Sequence, residues 1–243
     1  MKLKLIITFF CLLSLATVAA AQSVVITKKK VTYTRPKPIS EYKKQFYVNY
    51  PQIKAATPAI SKKIGAIISY EKVFEMNIKD ELGGSQWLEA ADFTVLYNKN
   101  GVLSIAVIIE GSGAYPDGST KVFTIDSRTG VKLKPIDVFT NLDGLLAMVK
   151  KKRDKEVAMT IAEVKKDPEN ADADIEALLK ESEEQHKVTL DEFSIEDKGV
   201  LIYHDYSFPH VAKALEPFGE FRFSWAEIKP YIKAGGLLSP LAR

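Results

Sequence analysis

The sequence predicts an α+β fold, an antiparallel sheet with helices packed on it. Three observations carry that expectation. Period-two apolar alternation clusters in the centre of the chain and again near its end. Helical periodicity falls in separate blocks and does not alternate with single strands, and the links between the central strands are too short for anything but antiparallel neighbours.

The elements follow in order. Residues 1–21 open with Lys2 and Lys4, run through an apolar stretch at 5–16 and leave through Ala19-Ala20-Ala21. A charged start, an apolar middle and a small-residue exit make a secretory signal peptide, cut before Gln22, and the apolar run is short for a bilayer span. Cys11, the single cysteine, lies inside that segment behind Phe9-Phe10, where lipid processing wants small residues, so no lipid anchor is expected. Residues 22–41 form a basic, proline-containing entry segment with Lys28-Lys29-Lys30 and Arg35-Pro36-Lys37-Pro38, and a short strand is expected around 31–33. Residues 42–243 are expected to form a single α+β domain.

Within that domain, 44–50 alternates as a strand with Phe46, Val48 and Tyr50 on one face, ended by Pro51. Thr57 is placed to cap a helix with Pro58 at its first position, and Ile60, Ile64, Ile67 and Ile68 recur at helical spacing up to Gly83-Gly84. Strands are predicted at 91–97, 102–110 and 119–125, with Asn98-Lys99-Asn100-Gly101 and Tyr115-Pro116-Asp117-Gly118 as the turns. Asn141 is the N-cap of a helix whose stripe includes Leu142, Leu145, Val149, Val157, Ile161 and Val164, stopped by Asp167-Pro168. A second helix is expected at 172–184. The tail returns to strands at 189–195, 200–206 and 220–224 before a short helix near 225–232.

Composition excludes several classes. Loss of residues 1–21 removes Lys2 and Lys4 and leaves 32 basic against 31 acidic residues, a balance unlike that of nucleic-acid binders. No later segment has the apolar length of a membrane helix, so no membrane span is expected once the signal is cut. With no cysteine after residue 21, stability must come from packing and not from disulfides.

Two blocks carry a family resemblance. The first runs from Leu96-Tyr97-Asn98-Lys99-Asn100-Gly101-Val102 through Gly113-Ala114-Tyr115-Pro116 to Phe123-Thr124-Ile125-Asp126 and Thr129-Gly130. The second joins Phe193-Ser194-Ile195, Tyr206-Ser207-Phe208-Pro209-His210 and Pro217-Phe218-Gly219 to Phe223-Ser224-Trp225-Ala226-Glu227-Ile228-Lys229-Pro230-Tyr231. Together they resemble the extracellular domain of RsiV-type anti-sigma factors, a family also found beside peptidoglycan deacetylase domains. The resemblance implies helices on an antiparallel sheet and a non-enzymatic binding or sensing module at the cell envelope, with a lysozyme-like protein or peptidoglycan as partner. It does not carry sigma-factor signalling or deacetylation, because this chain has neither a sigma-binding segment nor a deacetylase domain. Tyr115 also stands where many members of that family have histidine.

The residues suggest few chemical sites. His204, Asp205 and His210 lie close in sequence, with Asp191 and Glu192 nearby, but their spacing matches no metal motif, and no cofactor or catalytic residue is assigned. On a strand, His204 and Tyr206 would share one face and Asp205 the other. Gly111-Ser112-Gly113 is followed by no Gly-Lys-Ser/Thr and reads as a bulge or hairpin. Candidate binding residues are Tyr115 and Asp117 in the turn, His204, Tyr206 and His210 near the end, and Glu181, Glu183 and Glu184 in an acidic stretch. That stretch, residues 167–192, holds ten acids against Lys180 and Lys187 and is suited to steering a basic partner. The competing reading is an envelope-acting hydrolase using carboxylates and His204 or His210.

Overall fold

The structure, a computed structural model, describes residues 23–40, 42–113, 116–170 and 172–242. The expected signal peptide and Tyr115 lie outside the described residues. Six strands pair in chain order as one sheet: β1 (Val25–Thr34), β2 (Gln45–Lys54), β3 (Leu88–Lys99), β4 (Val102–Ser112), β5 (Pro116–Asp126) and β6 (Val131–Lys132). All neighbours are antiparallel except β2 and β3, which run parallel and pair only at Tyr47 with Ala90 and Val48 with Ala91. A parallel pair needs a crossover. Helices α1 (Pro58–Ile67) and α2 (Tyr70–Val73) lie on that connection. After α3 (Pro135–Val138), α4 (Leu142–Val164) and α5 (Ile175–Gln185) comes a three-stranded antiparallel sheet of β7 (Phe193–Glu196), β8 (Gly199–Tyr203) and β9 (Glu220–Ser224), then α6 (Trp225–Ile228). The architecture is α+β, as the strand and helix blocks require.

Local chemistry sets the helix starts. The Thr57 side chain accepts the Ile60 N–H at 3.2 Å with Pro58 following it, and Asn141, at φ 46°, accepts the Gly144 N–H at 3.3 Å. Packing then divides the interior. Phe46, Val48, Ile64, Ile68 and Ile105 fill the space between the large sheet and α1, while Tyr97, Phe139, Leu145, Phe193 and Phe223 fill a second core against the small sheet.

The first strand is ten residues long instead of the short stretch around 31–33. Its lysines hid it from apolar alternation, yet they are well placed in a sheet. The Lys28 ammonium meets Asp92 at 2.6 Å above the Phe93 ring, and Lys30 lies 4.4 Å from the Tyr47 ring centroid, so their stems cover aromatic surface. The helix expected to run to Gly83 breaks after Ile67, because the chain turns to bury Tyr70 and Ile78, and the Tyr70 hydroxyl donates to the Asn49 carbonyl at 2.8 Å. At the other end, β8 stops at Tyr203, three residues short of the predicted 206, and β7 starts at Phe193, four later than the predicted 189.

Two buried polar joints hold the pieces together. Arg35, 2% exposed, donates to the carbonyls of Glu81 (2.9 Å), Lys43 (2.5 Å) and Leu88 (2.7 Å), and its guanidinium sits 3.6 Å from the Glu81 carboxylate and 4.9 Å from the centre of the Phe46 ring. The second joint links the sheets. Thr124 Oγ1 donates to the Phe193 carbonyl at 2.6 Å, Ser104 Oγ accepts the Ile195 N–H at 2.9 Å, and the two hydroxyls are 3.0 Å apart. Because the Thr124 proton is committed to Phe193, Ser104 supplies the proton between the hydroxyls.

Removing either joint leaves buried groups without partners. Ser104→Ala is expected to lower unfolding free energy by about 1–3 kcal/mol. Arg35→Ala, which strands the Glu81 carboxylate, is expected to cost about 3–5 kcal/mol. Urea unfolding at matched m-values checks both.

Candidate functional site

The link between β8 and β9, residues 204–219, is held at both ends. The His204 N–H donates to the Gly219 carbonyl at 2.8 Å, carrying the pairing one step past the sheet. Gly219 sits at φ 66°, and a Cβ there would lie 1.9 Å from the His204 carbonyl oxygen, so the closure needs glycine. Glu156 on α4 receives the Gly219 N–H at 3.2 and 3.3 Å on its two oxygens and the Tyr206 hydroxyl at 3.0 Å. Farther along, Glu216 accepts the Phe208 N–H at 2.8 Å. Tyr206 and Phe208 are buried against Val164, Ile175 and Leu179, which also joins α4 to α5. Burial pushes the Glu156 carboxyl above the usual range against the pull of its hydrogen bonds, and burial beside that carboxylate raises the Tyr206 phenol.

Beneath this link, α4, α5 and the end of β8 enclose a cleft of about 300 Å³ whose walls include Arg153, Val157, Leu179, Ser182, His204 and Tyr206. The Arg153 fork is already engaged, by Asp154 at 2.7 and 3.0 Å and by Glu183 at 2.8 Å. The His204 ring packs edge-on to Tyr206, with centroids 4.5 Å apart. Burial, and next the Arg153 cation, push His204 down to about 4, so the imidazole is neutral at physiological pH and offers one donor and one acceptor. Ser182 is 5% exposed, and its hydroxyl has no hydrogen-bond partner among the described residues. The cleft thus holds a cation with spare donors, a neutral ring, a hydroxyl without a partner among the described residues and an apolar wall.

The predicted residues divide. His204, Tyr206 and Glu183 come together at this cleft. Although β8 ends before them, His204 and Tyr206 still share a side, and the Asp205 carboxylate instead accepts the Ser207 N–H at 2.8 Å. Glu181 and Glu184 are exposed on α5, the former accepting from Gln185 at 3.2 Å. His210 is exposed on the 3-10 turn His210–Leu215. Asp117, exposed at the start of β5, caps the Gly118 N–H at 2.8 Å and takes no part in the cleft. Sequence reasoning missed Arg153 and Ser182, and it missed Val211 and Phe218, which are 90% and 92% exposed on the 204–219 link. Phe218 lies between Pro217 and Gly219, and a large apolar residue between two turn-formers is the signal that could have marked it. Among the described residues no group of three or more His, Cys, Asp or Glu side chains is placed to hold a metal ion.

With this geometry the fold can be compared. No family model matches the chain, and no curated protein matches it. Solved structures do. A DUF3298 family protein from Pseudomonas aeruginosa PAO1 is similar at a TM-score of 0.50 and 12% identity, covering 88% of this chain and 96% of its own. A member of the same family from Bacteroides fragilis is similar at a TM-score of 0.51 and 15% identity, covering 90% of this chain and 98% of its own. The chain therefore has the fold of DUF3298 family proteins, a domain of unknown function. At this identity the likeness shows the fold alone. Among the described residues no helix is long and apolar enough to cross a membrane.

Two outcomes test the site. Because the folded His204 titrates below its ordinary value of 6.5, its contribution to stability is complete above that pH and is lost as pH falls through about 4. Imidazole proton shifts followed by NMR should place its midpoint near 4, and a midpoint above 6 would contradict the burial. Glu156→Ala strands the Gly219 N–H and the Tyr206 hydroxyl and should cost about 1–3 kcal/mol in thermal or urea unfolding. Glu156→Gln, which keeps an acceptor and removes the charge, should cost clearly less.

Proposed function

We propose that this chain is a non-enzymatic binding module exported through the leader at residues 1–21, folded as one domain that takes in β1 of the 22–41 segment as well as 42–243, and working in the periplasm or outside the cell at the envelope. Its partner in this reading is a basic, lysozyme-like protein. The observation that carries it is the pair Val211 and Phe218, held at 90% and 92% exposure on a link whose ends are clamped. Apolar side chains displayed on an ordered loop lose little entropy on docking, which is how anchors of protein interfaces work. The surroundings of Phe218 favour a basic partner: Glu163 and Asp167, on and just beyond α4, share its groove, while Glu216 there is already paired with Lys213 at 2.7 Å. The exposed Glu181 and Glu184 carry the same sign on α5. Glu183 contributes less because Arg153 holds it. Complementary charge of this kind raises association rate more than final affinity.

Calorimetric titration of the protein with a lysozyme at two salt concentrations tests the reading. Saturable binding that weakens with salt is expected. Val211→Ser with Phe218→Ser should weaken it at least tenfold with circular dichroism unchanged, while Glu181→Gln with Glu184→Gln should slow association at low salt. No heat from the wild-type chain would sink the protein partner and turn attention to peptidoglycan, tested by sedimentation with purified sacculi.

A further inference from the structure

A second groove lies far along the chain from the clamped link, where the β1–β2 ribbon meets α1 and α2. Its volume is about 400 Å³, and it is lined by Lys29, Tyr33, Tyr50, Gln52, Gly65 and Glu71 among others. The register explains why these residues converge. Lys29 pairs with Tyr50, Tyr33 with Phe46 and Thr27 with Gln52, so alternation puts Lys29, Tyr33, Tyr50 and Gln52 on one face of the ribbon. Lys28 and Lys30, on the opposite face, are occupied by Asp92 and by the Phe93 and Tyr47 rings. Of the lysine triplet only Lys29 is delivered to the groove.

The tyrosines are fixed in place. Tyr33 stacks on Phe46 at 4.9 Å and 11°, with the buried Arg35 guanidinium also 4.9 Å from the centre of the Phe46 ring. Tyr50 meets Tyr70 edge-on at 6.3 Å and 68°, and the Tyr33 and Tyr50 hydroxyls are 2.8 Å apart. A hydroxyl pair of this kind spends one proton on itself and keeps the other for a ligand, with lone pairs to spare. Burial, then the Tyr33 hydroxyl, push the Tyr50 phenol up, so that phenol stays protonated.

Gly65 is the second observation. It stands inside α1, where glycine is less favourable than alanine, and a Cβ built on it meets nothing within 4 Å. No close contact demands a glycine at that place. The open space it faces is the groove.

We infer that this groove is a carbohydrate site that takes a short glycan chain, its sugar rings laid on Tyr33 and Tyr50 and its hydroxyl or amide groups met by the paired phenols, Lys29, Gln52 and Glu71. Fixed aromatic rings beside donors and acceptors of both kinds suit a ligand that is apolar on its ring faces and polar at its edges. A neutral sugar is also compatible with one lysine and one glutamate in the same groove. The site stands on its own geometry and rests on the envelope-binding reading only for where glycan would be encountered.

The test titrates the full chain with tri-N-acetylchitotriose and with cellotriose, followed by calorimetry and by chemical shift changes. Saturable binding of at least one is expected, and preference between them separates an N-acetylated glycan from a plain one. Tyr33→Ala and Tyr50→Ala should each weaken binding tenfold or more. Gly65→Leu is the stricter variant: it replaces glycine with a good helix former, so melting temperature should hold or rise while binding is lost through occlusion. No binding of either trisaccharide by the wild-type chain overturns the inference, as does binding that all three variants retain. The Val211→Ser, Phe218→Ser double variant should keep glycan binding, so failure of the protein-docking reading and failure of this one are told apart.

Discussion

The joint on which the arrangement depends is a pair of buried hydroxyls. Strand β7 is an edge of the small sheet, and its far side would leave the Phe193 carbonyl and the Ile195 N–H unpaired in the interior, where a lost hydrogen bond is expensive. Ser104 from β4 and Thr124 from β5 meet those two groups with side-chain oxygens instead of backbone. The large sheet thus completes the small one without merging with it. A third contact, from the Val122 N–H to Glu192 at 2.8 Å, continues the seam. The core of Tyr97, Phe139, Phe193 and Phe223 can close only when the two sheets hold that separation, and α4 then lies against β9, where the Lys152 ammonium reaches the Arg222 carbonyl at 2.6 Å.

From that seam the geometry of the clamped link follows. Placing α4 beside the small sheet brings Glu156 to the mouth of the 204–219 link, where one carboxylate takes two donors from opposite ends of the loop. A carboxyl raised above its usual range is a charge held at a cost, and the return is order in a segment of irregular backbone. The same clamp positions His204 in a partly dry cleft, and it sets Val211 and Phe218 in solvent. Burial of Tyr206 and Phe208 and exposure of Val211 and Phe218 are therefore two consequences of one constraint.

Much of the fold was legible because its signals are local. Thr57-Pro58 and Asn141 cap the helices where their chemistry says they should, and the Asn-Gly link between β3 and β4 places Asn100 and Gly101 at φ 55° and 78°. The elements that were misread depend on distant partners. Lys28-Lys29-Lys30 looks like a solvated run until Asp92, Phe93 and Tyr47 are brought beneath it. The end of β8 at Tyr203 is set by where Gly219 turns, sixteen residues on. The site was less legible for the same reason: His204, Tyr206 and Glu183 were identified by type, but Arg153 and Ser182 acquire meaning only when α4 and α5 face each other. Phe218 carries a local hint in its Pro217 and Gly219 neighbours, but its 92% exposure is set by the clamp on the link and not by its type.

Beyond Cys11 the chain has no cysteine, and Arg35 shows what takes the place of a disulfide. Its fork ties the end of β1 to the Lys43 carbonyl before β2, to Glu81 in the 3-10 turn Asp80–Leu82, and to Leu88 at the start of β3. Glu81 closes the loop of contacts by accepting the Leu88 N–H at 2.8 Å. A buried ion pair is weak evidence of net stability, because desolvation offsets its attraction. Directional bonds to three carbonyls are a different matter, since any other register of β1 would leave the guanidinium without them. Phe46 beneath Arg35 then fixes Tyr33, so the joint that selects the register of β1 is also the one that prepares the face of the tyrosine groove.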